Sequence, residues 1–92
     1  MRSITTPQFR QMFAELPTQI QDRTDRTRKA YRLFQQDPNY PSLRFKKVHS
    51  KLPVYSVRIN KDYRAVGQLD EDSIVWFWVG SHAEYDLLLD NF

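Results

Sequence analysis

The sequence predicts an α+β domain in which a layer of helices lies against a mainly antiparallel sheet. Three runs in the second half, residues 54–60, 63–70 and 73–82, are rich in β-branched and aromatic residues. Short turn signals separate them, Asn60-Lys61-Asp62 and then Asp70-Glu71-Asp72. The first half instead carries apolar residues at steps of three and four, the helical period. With 92 residues, the chain is one small domain with a single core.

Taken in order, residues 2–5 fit a short first strand. Thr6 before Pro7 then reads as a helix start, the threonine as cap and the proline in the first helical position. Phe9, Met12, Phe13 and Leu16 follow at helical spacing, and Pro17 stops that helix. A second, longer helix is marked by Ile20, Thr24, Thr27, Tyr31 and Phe34. Its outer face carries Asp22, Arg23, Asp25, Arg26, Arg28, Lys29 and Arg32. There Asp22–Arg26 and Asp25–Lys29 form i,i+4 pairs worth about 0.2–0.5 kcal/mol each. Residues 37–42 are a loop, with two prolines, an asparagine and a serine.

Residues 43–48 alternate well enough to be a strand, and 49–53 lead into the central three. Along 54–60, Tyr55, Val57 and Ile59 point one way, and Val54, Ser56 and Arg58 the other. Residues 74–79 are apolar on both faces, which suits a central strand covered above and below. After His82, residues 84–89 read as a short helix that either caps the sheet or serves a partner.

Composition excludes several classes. The chain has no cysteine, so disulfides and thiolate metal sites are ruled out. No apolar run approaches the ~20 residues of a membrane span and no signal peptide is visible, so a soluble cytoplasmic domain is expected. The net charge of +3 is strongly segregated. Residues 44–64 carry Arg44, Lys46, Lys47, Lys51, Arg58, Lys61 and Arg64 against Asp62 alone, whereas residues 65–92 carry six acids and no base. The basic block is either a polyanion-binding surface or the solvated face of exposed strands. The acidic tail would repel nucleic acid, so any such contact is local.

Gly67 and Gly80 are the only glycines, and no phosphate loop or dinucleotide fingerprint is present. His49 and His82 stand far apart without a carboxylate spacing that suggests a metal, and Ser56 and Ser81 lack an activating partner. What remains is Arg58, Arg64, His82 and Tyr85. If Ile59 and Tyr63 share the core face across the first turn, Arg58 falls directly opposite Arg64. Like charges so placed are destabilising unless an anion or carboxylate lies between them. Arginine stays protonated, so it stabilises charge but cannot act as a base. Proton transfer would fall to a histidine, whose unperturbed pKa is near ~6.5. A three-residue loop at Glu71-Asp72 places His82 on the face of Arg64, and a two-residue loop separates them. Otherwise His82 ends the strand or caps the helix, Tyr85 is a packing aromatic, and Trp76 and Trp78 are core or a stacking surface.

Three segments carry a family resemblance: Tyr55-Ser56-Val57-Arg58-Ile59, Asp62-Tyr63-Arg64-Ala65-Val66, and Val79-Gly80-Ser81-His82 with Tyr85-Asp86. Together with Pro41-Ser42-Leu43 and the two preceding helices, they resemble the RelE/ParE superfamily of bacterial type II toxins over nearly the whole chain. The resemblance implies a microbial-ribonuclease-like fold, with two N-terminal helices packed on a twisted, mainly antiparallel four-stranded sheet and a short C-terminal helix. RelE-like members cut messenger RNA on the ribosome without a metal or other cofactor, the ribose 2′-hydroxyl attacking the adjacent phosphate. On that likeness Arg64 matches the arginine that binds the reacting phosphate, and Arg58 matches a basic position on the preceding strand. His82 matches a basic position that serves as general acid or base, and Tyr85 lies near a C-terminal tyrosine. Arg44, Lys46, Lys47, Lys51 and Lys61 would contact RNA. Ser56 stands where active relatives often have a lysine. The implied partners are a cognate antitoxin, forming a toxin–antitoxin hetero-oligomer, and the ribosome with its mRNA, with no membrane. ParE-like members use the same scaffold to poison DNA gyrase, and a non-catalytic protein-binding member is a further alternative.

Overall fold

The computed structural model describes residues 2–16, 32, 34, 36, 37, 41–59 and 61–91. In chain order they form strand β1 (Arg2–Thr5), helix α1 (Pro7–Ala14), a 3₁₀ turn (Pro41–Leu43), and strands β2 (Lys46–Lys47), β3 (Val54–Arg58), β4 (Tyr63–Asp70) and β5 (Ser73–Ser81). Helix α2 (His82–Asp90) closes the chain. The α+β class therefore holds. The strand count does not: the sheet has five strands in the order β1-β5-β4-β3-β2, rather than four. Residues 2–5 add the extra one, running parallel to β5 from Arg2 opposite Ser73 to Thr5 opposite Trp76, while the other pairs are antiparallel.

Helix α1 starts where its sequence says it should. Thr6 is the cap, its side chain accepting from the Phe9 N–H, with Pro7 in the first turn. The Thr6 hydroxyl also donates to the Trp76 carbonyl, tying the helix start to β5. Most of the second expected helix, with its Asp22–Arg26 and Asp25–Lys29 pairs, lies outside the described residues; Arg32, Phe34 and Gln36 are helical. The strand expected over 43–48 shrinks to two residues. The 3₁₀ turn occupies its start, and Arg44 takes a left-handed backbone (φ 47°), which cannot extend a ladder. At the other end, β5 gives way at His82, earlier than expected, because Ser81 caps α2. The Ser81 hydroxyl accepts from the Glu84 N–H at 3.2 Å and the Glu84 carboxylate accepts from the Ser81 N–H at 3.1 Å.

Side chains alternate across the sheet, so it has two faces. On one, Leu16, Phe34, Leu43, Val57, Ala65, Ile74, Trp76 and Val79 form the main core, joined by Phe9, Met12 and Phe13 of the α1 region. Phe34 meets Trp76 and Phe45 edge-to-face, at 5.3 Å and 5.1 Å. On the other, Val54, Val66 and Tyr85 form a second cluster with Val48, Phe77, Trp78, Leu88 and Leu89, and α2 lies across it. Tyr85 is buried there and its hydroxyl donates to Ser56 Oγ at 2.9 Å. No helix among the described residues is long and apolar enough to cross a membrane.

The register decides which residues share the second face. The β4–β5 turn is two residues, Asp70 standing opposite Ser73. Taken alone, that would turn His82 away from Arg64. The ladder, however, slips between Val66 and Gly67: Val66 faces Trp78 but Gly67 faces Trp76. Phe77 is the surplus residue of a β-bulge. Past it the alternation is reset, so that Arg64 stands opposite Gly80, and the helix that His82 opens lies across the same face as Arg64.

Gly67 lies across from this bulge with no room for a side chain. An added Cβ would stand 2.8 Å from the Trp76 ring, 2.9 Å from Ile74 Cγ1 and 3.1 Å from the Val75 carbonyl. Gly67→Ala is expected to cost about 1–3 kcal/mol by overpacking, read as a lowered urea midpoint. Tyr85→Phe is expected to cost about 1–2 kcal/mol, since it leaves the buried Ser56 hydroxyl without that partner. An unchanged midpoint in the Phe variant would mean that the bond contributes nothing to docking α2.

Candidate functional site

Strands β3 and β4 bring Arg58 and Arg64 directly opposite one another. Opposed positions share a face with Cβ atoms about 4.5–5.5 Å apart, so both guanidinium stems rise from the face that carries α2. Both side chains are half-buried. Arg64 folds back to donate from Nη1 to the Tyr63 carbonyl at 2.9 Å. Burial, and next the charge of Arg58, lower the Arg64 pKa, with Arg44 acting in the same direction; Tyr85 and Asp86 oppose them. Among the described residues, the charges that act on Arg64 are those of Arg58, Arg44, Tyr85 and Asp86.

His82 opens α2, held by its own N–H, which donates to the Asp62 carbonyl at 2.8 Å. Its ring stands edge-on to Tyr85, with centroids 5.8 Å apart. Nδ1 lies 3.1 Å from Asp86 Oδ2, one helical turn on. Both side chains are about half exposed, at 48% and 60%. The site thus combines clustered positive charge with one imidazole and one carboxylate at its edge. It can hold an anion and move a proton beside it.

The other expected residues divide. Arg44 joins the cluster through its effect on Arg64, and its left-handed backbone is a strained conformation of the kind that collects at functional sites. Lys46 stands opposite Ser56 and so shares the face of Arg58, whereas Lys47 stands opposite Tyr55 and belongs to the other. Lys61 is exposed in the β3–β4 turn. Lys51 is exposed in the β2–β3 loop, before Val54, which pairs with Gln68 at the far end of β3 from Arg58. That loop is fastened by His49, whose Nδ1 accepts from the Lys51 and Leu52 N–H groups at 3.0 Å and 2.9 Å.

Tyr85 is only 4% exposed, with its hydroxyl turned to Ser56 beneath the helix rather than to the surface. Ser56, its partner, is 2% exposed, and this buried pairing occupies the place where a lysine was looked for. Trp76 is core, donating from Nε1 to Ser3 Oγ at 2.7 Å, and Trp78 is half-buried against Tyr85. Asp86 was missed from sequence. The four-residue step from His82 is its signal, and that step has meaning only once His82 is known to be helical. Among the described residues, no three His, Asp or Glu side chains group as ligands for a metal ion.

The fold is similar to that of several solved toxins. YafQ from Escherichia coli superposes with a TM-score of 0.70 at 12% identity, covering 92% of this chain and 98% of that one. The RelB–RelE antitoxin–toxin complex of Methanococcus jannaschii matches with a TM-score of 0.60 at 20% identity, covering 91% and 96%. The RelBE2 toxin–antitoxin complex of Mycobacterium tuberculosis matches with a TM-score of 0.58 at 19% identity, covering 88% and 96%. A search of curated proteins finds no match by sequence. The ParE-like toxin domain family matches residues 21–86, from before the 3₁₀ turn to the first turn of α2. The chain belongs to that family, and with it to the RelE/ParE superfamily of toxins.

Proposed function

We propose that this chain is the toxin of a toxin–antitoxin pair and acts as a ribosome-dependent, metal-independent mRNA endoribonuclease. The observation that carries the reading is the opposed pair Arg58 and Arg64, next to the start of the helix that bears His82. Opposed like charges are destabilising, and an anion between them relieves the repulsion. A phosphodiester does so, each guanidinium donating to the non-bridging oxygens in planar, charge-assisted bonds.

In the reaction, the ribose 2′-oxygen bonds to phosphorus and the bond from phosphorus to the 5′-oxygen breaks. One proton leaves the 2′-hydroxyl and one reaches the 5′-oxygen. His82 carries one of these transfers through Nε2, with water on the other side. Arg58 and Arg64 stabilise the charge that builds on the phosphoryl oxygens. Tyr85, fixed by Ser56, positions the His82 ring. Arg44, Lys46 and Lys61 follow the RNA backbone, with Lys47 and Lys51 as outlying contacts. The antitoxin lays a helix or an extended segment over the basic face and α2.

A second reading is DNA gyrase inhibition, favoured by the match to the ParE-like family. Expression in cells separates the two: ribonuclease action stops translation with cuts in mRNA, while gyrase poisoning blocks replication and induces a DNA-damage response.

Arg64→Ala is expected to abolish growth inhibition while leaving the circular dichroism spectrum unchanged. Arg58→Ala should lower cleavage about 10²–10³-fold, the cost of one donor to a developing oxyanion. His82→Gln should lower it about 10²–10⁴-fold, the usual contribution of a positioned acid or base. Primer extension on ribosome-bound mRNA reads both. A folded Arg64→Ala protein that remained fully toxic would remove the assignment.

A further inference from the structure

The His82–Asp86 pair has no sufficient explanation in helix stability. An exposed i,i+4 pair contributes only a few tenths of a kcal/mol. This one also runs against the helix macrodipole, with the basic member in the first turn of α2 and the acid after it. The N-terminal turn is already closed without it, by the Ser81–Glu84 capping box. What the contact does determine is the imidazole. A carboxylate only accepts, so Nδ1 carries the proton that fills the 3.1 Å contact to Asp86 Oδ2, and Nε2 is the nitrogen left to work.

We infer that Asp86 is a positioning residue: it fixes the tautomer and ring direction of His82 so that Nε2 faces the arginine cluster. Three observations converge on this role. The helix that His82 opens lies across the face of the sheet that carries Arg58 and Arg64. The Tyr85 ring limits rotation of the imidazole from one edge. The Asp86 charge is felt by Arg64, so the carboxylate lies within electrostatic reach of the anion site as well as of the histidine. The catalytic part of this inference rests on the proposed ribonuclease reading; the tautomer part does not.

The chain contains its own reference. His49 Nδ1 accepts from two backbone N–H groups, which requires the neutral His49 ring to carry its proton on Nε2. The two histidines should therefore show opposite tautomers in ¹⁵N spectra of the neutral imidazoles in the full chain, His82 as Nδ1–H and His49 as Nε2–H. Asp86→Ala should move His82 towards the Nε2–H form and leave His49 unchanged. The same variant should lower ribosome-bound mRNA cleavage about 10- to 100-fold, the size of effect found for carboxylates that orient metal-bound histidines. Asp86→Glu, which keeps the acceptor and the charge near Arg64, should restore part of the loss. His82 found as Nε2–H in the wild-type chain, or unchanged in Asp86→Ala, overturns the inference. A shift of tautomer with full cleavage overturns the positioning role. A wild-type protein that shows the expected tautomers but cuts no RNA overturns the ribonuclease reading alone, since the hold of Asp86 on the ring is then demonstrated.

Discussion

One surplus residue in β5 arranges the site. Side chains in a strand alternate with a period of two, so an extra residue moves everything beyond it to the opposite face. Phe77 is that residue, and its insertion has two effects. It sets Phe77 and Trp78 on the same side, giving the apolar surface that receives Tyr85, Leu88 and Leu89 of α2. It also brings the end of β5, and hence the start of α2, into phase with Arg58 and Arg64. The seat of the helix and the register that sets Gly80 opposite Arg64 have a common origin.

The arginines illustrate why residue type matters at a half-buried cluster. Burial and a neighbouring guanidinium both lower the pKa of Arg64. A lysine under the same influences would give up its proton far more readily. Arginine begins high enough to stay charged, so the cluster keeps its field even though its members repel each other. Asp86, from the side, offsets part of that repulsion.

Much of this was legible in the chain. The alternation of residues 54–60 set Arg58 opposite Arg64 on the condition that Ile59 and Tyr63 share the core face, and both do pack against the main core. Thr6-Pro7 gave the start of α1. The bulge was not anticipated, and its one trace was Gly67, a glycine within a strand, which often marks a bulge or a close backbone approach. Loop length alone was therefore not enough to set the register of the end of β5 against Arg64. The first residue of α2 was missed although Ser81-His82-Ala83-Glu84 has the form of a capping box, since the apolar run of β5 leads straight into it. For Tyr85, packing and chemistry were indistinguishable until its hydroxyl was found on Ser56. Residues 2–5 read as a strand from their own pattern, but their place in the sheet is settled by pairing with residues some seventy positions away, which local pattern does not reveal.

The two outermost strands of the sheet are also its shortest, four residues in β1 and two in β2, and both residues of β2 are lysines. Short rims bearing lysine discourage edge-to-edge joining of sheets from separate molecules. This matters for a chain with a basic middle and an acidic last third, since opposite charges on separate copies are complementary. An encounter through such charges is weakened by dissolved salt, and the short lysine-bearing rims disfavour its passing into shared backbone ladders, which salt does not undo.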